Sequence, residues 1–165
     1  MKCKDIVGTV TESLLGLLKK KPLSEITVSD ITEDAGISRM TFYRKFSSKE
    51  DVLSSCVEYI GRKIHDICGS FFSCGDKKTY FCALFEGLSA YSDENLAIYN
   101  AGFSGIVLKW LNSFMEATFA PETKQSKYRL YQITGAFYNM FIGWLLSDRE
   151  ESCESMAELL CDMVV

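Results

Sequence analysis

Residues 26–53 read ITVSDITEDAGISRMTFYRKFSSKEDVL, and the caps, turn residues and apolar positions of this stretch decide the fold. Thr27 followed three residues on by Asp30 is a capping-box pattern that starts a helix. Val28, Ile31 and Ala35 share its inward face. Gly36 follows at once, where a chain leaving a helix often needs positive φ. Ser38 caps a third, short helix, predicted over Arg39 to Phe46, with Phe42 and Phe46 turned inward one turn apart. Arg39, Thr41, Arg44 and Lys45 are left pointing out. Ser47 or Ser48 then caps a fourth helix, with Glu50 or Asp51 three residues further on. Helix, glycine turn, short helix and a long supporting helix make a helix-turn-helix, whose short helix fits a major groove roughly 12 Å wide. The neighbouring helix ends offer backbone N–H groups to phosphates.

Upstream, Val7, Val10, Leu14, Leu17 and Leu18 form one apolar stripe at three- and four-residue steps, predicting a helix from about Lys4 to Lys20. Lys19, Lys20 and Lys21 suit its C-terminal end, and Pro22 stops it. Downstream, Leu53, Cys56, Val57, Ile60, Ile64, Ile67 and Phe71 keep the helical period to about Phe72, with a break at residues 73–76. Further helices are predicted over residues 77–91, 95–119 with a break near Gly102 or Gly105, 124–146 and 152–164, and Pro121 falls in a loop. The predicted class is all-α: a three-helix head over residues 1–50 and a helical ligand-binding and dimerisation body over residues 51–165.

Composition supports this division. Of 165 residues, 47% are hydrophobic and 13% aromatic, enough for a sizeable core, and only Pro22 and Pro121 interrupt the chain. The net charge of −4 conceals an asymmetry. Residues 1–50 carry nine Lys/Arg against seven Asp/Glu, a balance of +2, and the remainder carries −6. A mildly basic head on an acidic body suits a protein that meets DNA with one end. The start, MKCKDIVGTV, has neither a long apolar run nor a cleavage pattern, and no stretch approaches the roughly 20 consecutive apolar residues of a membrane span, so the expected location is cytoplasmic. Seven cysteines at spacings that match no zinc site read as small buried hydrophobes, with redox sensing or a soft metal at Cys68, Cys74 and Cys82 as the alternative. No metal or cofactor is expected. A lone His65 without a partner motif, and no phosphate-binding glycine loop, argue against an enzyme.

The 26–53 segment resembles the DNA-binding head of the TetR family of bacterial transcription regulators. The matching residues are Thr27, the Ala35-Gly36-Ile37-Ser38 turn, the Thr41-Phe42-Tyr43-Arg44-Lys45-Phe46 block and Ser48-Lys49-Glu50. The match covers nearly 50 residues with several motifs in order, and the body matches in style alone. The resemblance implies that Thr27 touches a phosphate, that Arg39, Met40 and Thr41 lie at base edges, and that Ser38 is a cap and contact. It further implies that Tyr43 hydrogen-bonds a phosphate, that Lys49 pairs with another, and that Arg44 reaches a base or the backbone. Physically, Arg39 is the best reader of guanine O6 and N7. Met40 stands where the family often carries a small residue, within reach of a thymine methyl.

Such a head works as a homodimer on a palindromic operator, because two recognition helices then read two half-sites. The interface is expected on the last two helices. Gly135, Asn139 and Gly143 recur every four residues, and Trp144, Met156, Leu160 and Met163 supply apolar surface. The aromatic-rich body is also expected to hold a small-molecule effector, with His65, Phe85, Tyr99, Phe103, Trp110 and Tyr138 as candidate lining, although aromatics at helical spacing read first as core. Tilting the long fourth helix would change the spacing of the recognition helices from the ~34–36 Å of adjacent half-sites. The leading expectation is a ligand-responsive repressor, and the alternative is a co-regulator acting through a protein partner with little DNA binding of its own.

Overall fold

The computed structural model describes residues 5–72 and 76–163, with the backbone alone described at 70–72 and 163. Its elements are α1 (Ile6–Leu18), a 3-10 turn (Leu23–Glu25), α2 (Val28–Asp34), α3 (Arg39–Tyr43), α4 (Lys49–Phe72), α5 (Lys77–Ala90), α6 (Ser92–Asn100), α7 (Ser104–Phe119), α8 (Lys124–Leu146) and α9 (Cys153–Met163). No strand occurs among the described residues, and no helix there is long and apolar enough to cross a membrane. The all-α class read from the sequence is the class observed. The break expected at residues 73–75, the position of Cys74 and the side chains of Phe71 and Met163 lie outside the described residues.

Contacts group the chain into two compact units. The first is Met1–Gly61 with Asp93–Phe103, and the second is Arg62–Ser92 with Ser104–Val165. The boundary expected after residue 50 therefore falls inside the first unit, which the early turns of α4 and α6 from Asp93 onward complete. The segment expected to be helical over residues 95–119 breaks into two helices at Gly102, one of the two positions expected. Gly102 takes φ +82° between them, a backbone conformation that favours glycine, and the first starts earlier, at Ser92. The third helix is also shorter than expected, ending at Tyr43 with Arg44 as its C-cap, and the Phe46 N–H donates back to the Phe42 carbonyl at 3.0 Å.

The first unit closes on one core. Val10 and Leu14 of α1, Ile31 of α2, Phe42 of α3, Val52, Leu53 and Cys56 of α4, and Ile98 of α6 are fully buried or nearly so. A large side chain buried in this way stabilises the fold by about 1.5–3 kcal/mol. Ser13 donates from its hydroxyl to the Ile31 carbonyl at 3.1 Å, a buried polar link between α1 and α2. Lys19, expected at the α1 C-terminus for its charge, pairs with Glu94 of α6 at 2.7 Å.

The second unit packs α5 against α9 and α7 against α8. Phe85 and Trp144 meet edge to face, with ring centroids 5.4 Å apart. The Trp144 indole N–H donates to the Glu151 carbonyl at 2.9 Å. Lys78 on α5 reaches Glu154 and Glu158 of α9 at 3.0 and 2.8 Å. In contrast, α7 contains no buried residue, although its face carries Leu111, Phe114 and Met115.

Candidate nucleic-acid interface

The local signals of residues 27–51 act as their chemistry requires. The Thr27 hydroxyl accepts from the Asp30 N–H at 3.1 Å, and the Asp30 carboxylate accepts from the Thr27 N–H at 2.8 Å, so both halves of the capping box form. Lys21 adds an ion pair to Asp30 at 2.8 Å. The Lys21 ammonium and the Thr27 N–H together hold the Asp30 carboxyl down at about 2. Gly36 takes φ +63°, and the Ser38 hydroxyl accepts from the Thr41 N–H at 3.1 Å. At the head of α4 the Ser48 hydroxyl accepts from the Asp51 N–H at 3.2 Å, while Asp51 accepts from the Ser47 N–H at 2.9 Å. The choice between Ser47 and Ser48 thus falls on Ser48.

On α3 the two faces separate cleanly. Phe42 is fully buried and Phe46 nearly so, with their rings 5.6 Å apart. Met40 is 79% exposed and Tyr43 58% exposed, a large outlay of apolar surface on a five-residue helix. Arg39, Arg44 and Lys45 are exposed beside them, and Ser38 and Thr27 are exposed too, with Thr41 half-buried. The Arg39 guanidinium donates to the Ser29 hydroxyl of α2, so the long side chain is already held in the free protein. This face offers cations, hydroxyls and one flexible thioether, groups suited to base edges and phosphates.

The Lys49 side chain is bonded within the head. Its ammonium donates to the carbonyls of Leu23 and Ile26 at 2.6 and 2.8 Å, and the residue is half-buried. Two of its three N–H donors are engaged within the head.

A cavity of about 500 Å³ opens within the second unit, between α4, α5, α7, α8 and α9. Its walls are apolar and aromatic, including Phe81, Leu84, Leu111, Phe114, Ile133 and Phe137. His65 and Lys77 are its ionisable side chains apart from the Tyr80 phenol, which burial and the neighbouring Cys68 push up to about 12. Of the six candidate lining residues, His65 alone is there, stacked edge-on 5.8 Å from Phe114. Phe85 and Tyr138 are buried core, Trp110 stacks behind the wall on Phe114 at 5.4 Å, and Tyr99 and Phe103 belong to the first unit. The aromatic wall contributed by Phe81, Phe114 and Phe137 was among the apolar positions of these helices, but periodicity does not tell a core aromatic from one beside a void.

The expected dimer residues also divide. Asn139 and Gly143 are exposed and Gly135 half-buried on α8, whereas Trp144, Met156 and Leu160 are buried within the second unit and act as its core. The exposed apolar groups nearby are Tyr128 and Leu146 of α8 and Leu159 of α9. Burial pushes the Cys68 and Cys82 thiols up, which keeps them protonated, and Cys56 is pushed up to about 12 for the same reason. Among the described residues no group of three or more His, Cys, Asp or Glu is placed to hold a metal ion.

Comparison with known proteins bears on the head and on the fold separately. Residues 12–56 match the family model of bacterial regulatory proteins of the tetR family. The HTH-type transcriptional regulator EthR of Mycobacterium tuberculosis (strain H37Rv) is 48% identical over 44 residues, a match that covers 27% of this chain and 20% of that protein's length. Among solved structures, the dihydroxyacetone kinase operon activator DhaS has a TM-score of 0.63 at 15% identity, covering 96% of this chain and 93% of its own. FadR of Thermus thermophilus, a TetR-family transcriptional repressor solved with lauroyl-CoA, has a TM-score of 0.57 at 13% identity over 95% of this chain and 92% of its own. Residues 12–56 therefore resemble the head of tetR-family bacterial regulatory proteins, and the all-helical fold is one that the chain shares with these solved structures.

Proposed function

We propose that this protein is a DNA-binding transcriptional regulator that works in the cytoplasm as a homodimer on a palindromic operator and answers to an apolar effector. The observation that carries the reading is the α3 surface, where Arg39, Met40, Tyr43, Arg44 and Lys45 face solvent while Phe42 and Phe46 anchor the helix to the head. Arg39 reads guanine, Met40 packs on a thymine methyl, and Thr27, Tyr43 and Arg44 meet the backbone. Ser38 and Thr41 support this surface from the helix start.

Dimerisation through the outer faces of α8 and α9 suits the exposed Tyr128, Asn139, Gly143, Leu146 and Leu159, with Gly143 allowing close approach of a second helix. The cavity supports the effector reading. Its volume lies within the roughly 300–1,000 Å³ of small-molecule sites, and its lining would take an apolar chain with one anionic end near Lys77 and His65. The lauroyl-CoA complex of a protein with this fold is consistent with such a ligand. α4 carries both Lys49 in the head and His65 and Gly69 in the cavity wall, which gives a bound ligand a continuous helix through which to act.

The test is selection of duplexes from a random pool by the full chain, followed by salt titration of the winner. Enrichment of a palindrome whose affinity falls steeply with salt supports the reading. A folded dimer that enriches nothing would instead favour a co-regulator that docks on another protein.

A further inference from the structure

We infer that Lys49 is a positioning residue that fixes the entry to α2 for DNA recognition and is not itself a phosphate contact. The inference rests on the reading of the head as DNA-binding. The peptide unit joining Ile26 to Thr27 is held at both ends. Its carbonyl accepts from the Lys49 ammonium at 2.8 Å, and its N–H donates to Asp30 at 2.8 Å. Lys49 also holds the Leu23 carbonyl at 2.6 Å, across the 3-10 turn that Ile26 N–H closes on the same carbonyl at 3.1 Å. Lys21 secures Asp30 from the other side at 2.8 Å. Leu23 and Ile26 are themselves buried, so this segment is anchored by its side chains below and by Lys49 on its backbone.

The chemistry favours this assignment over a phosphate pair. A hydrogen bond from a charged donor is roughly twice as strong as a neutral one. Swinging the ammonium out to DNA would break two of them, leaving the Ile26 carbonyl to water and the Leu23 carbonyl with the Ile26 N–H alone. The consequence for recognition is geometric. Thr27, the N-cap of α2, is the next residue after the gripped carbonyl, and Ser29, two residues on, receives the Arg39 guanidinium. Lys49 therefore sets where Thr27 and, through Ser29, Arg39 are presented.

The experiment compares the full chain with its Lys49→Met variant on a duplex selected by the parent and on a mixed-sequence duplex, each across a salt series. Measurements are made where circular dichroism shows both proteins folded. The expected result is a loss of about tenfold or more on the selected duplex, a smaller loss on the mixed one, and an unchanged slope of log affinity against log salt. A slope reduced by about 0.9, with equal loss on both duplexes, would mean a phosphate contact and overturn the inference. Parental binding by the folded variant would overturn it as well. Should the variant not fold, amine acylation of the parent, mapped by mass spectrometry, decides the matter. Lys49 labelling far more slowly than exposed Lys45 in the DNA-free protein supports positioning, and equal labelling refutes it. Because the acylation needs no DNA, its outcome is independent of whether an operator is found.

Discussion

The two compact units bury their apolar residues to very different degrees. In the first, α1 to α4 and α6 converge on side chains that are fully enclosed, and even the buried Ser13 hydroxyl has its partner. In the second, α7 buries none of its residues, and a cavity of about 500 Å³ stands open beside Phe114 and Leu111. A close-packed interior resists deformation, and in the first unit it holds Phe42, and with it α3, in place. An unfilled apolar space forfeits contacts that a ligand can restore. The contrast teaches that the same all-helical composition packs closely in one unit and leaves an open apolar space in the other.

The sharpest way to break this contrast is to truncate one aromatic in each unit. Phe42→Ala should destabilise the protein by about 3–5 kcal/mol in urea unfolding followed by circular dichroism. Phe114→Ala, beside an existing void, should cost well under half of that, and equal costs would erase the distinction. Next in size, Arg39→Ala should weaken binding to the selected duplex by about 1–3 kcal/mol and relax base preference at one position, read by repeating the selection with the variant. Narrowing the cavity by Leu111→Phe should weaken the response of intrinsic fluorescence to dodecanoate, with Trp110 as the reporter because it stacks on the wall residue Phe114, while duplex binding stays at the parental level. Loss of duplex binding instead would show that the second unit is not a separate ligand compartment.

Thr27→Ala removes half of the capping box and should cost about 1 kcal/mol in the same unfolding assay. The smallest effect concerns acid. The folded-state carboxyl of Asp30 lies at about 2, below its ordinary 3.8, so its contribution is fully present above pH 3.8 and fades as pH falls towards 2. The exposed position makes this contribution slight. Asp30→Asn should remove that part of the acid sensitivity between pH 4 and 2, and an unaltered acid limb would show that the Lys21 and Thr27 contacts do not hold the carboxylate in solution.

The legibility of the sequence follows the same division. The cap at Thr27, the positive φ at Gly36, the cap at Ser38 and the inward pair Phe42 and Phe46 were all readable, because each depends on partners within four residues along the chain. Lys49 was read as a phosphate partner, because nothing local reveals that carbonyls 26 and 23 residues away lie within its reach. In the body, helix spans were legible and pocket residues were not. Phe85, a candidate lining residue, is core, and Phe137, which was not a candidate, faces the cavity.

By itself the sequence determined an all-helical chain, the caps at Thr27 and Ser38 and which side chains of the short third helix turn inward, since hydrogen bonds of capping and the 3.6-residue period are set by near neighbours. Tertiary structure alone decided which aromatics close a core and which border a void, that Trp144, Met156 and Leu160 are interior, and that the Lys49 ammonium is held by the head's own backbone. The physical reason is that those outcomes depend on the distance between side chains on helices far apart in the chain, and no local pattern encodes that distance.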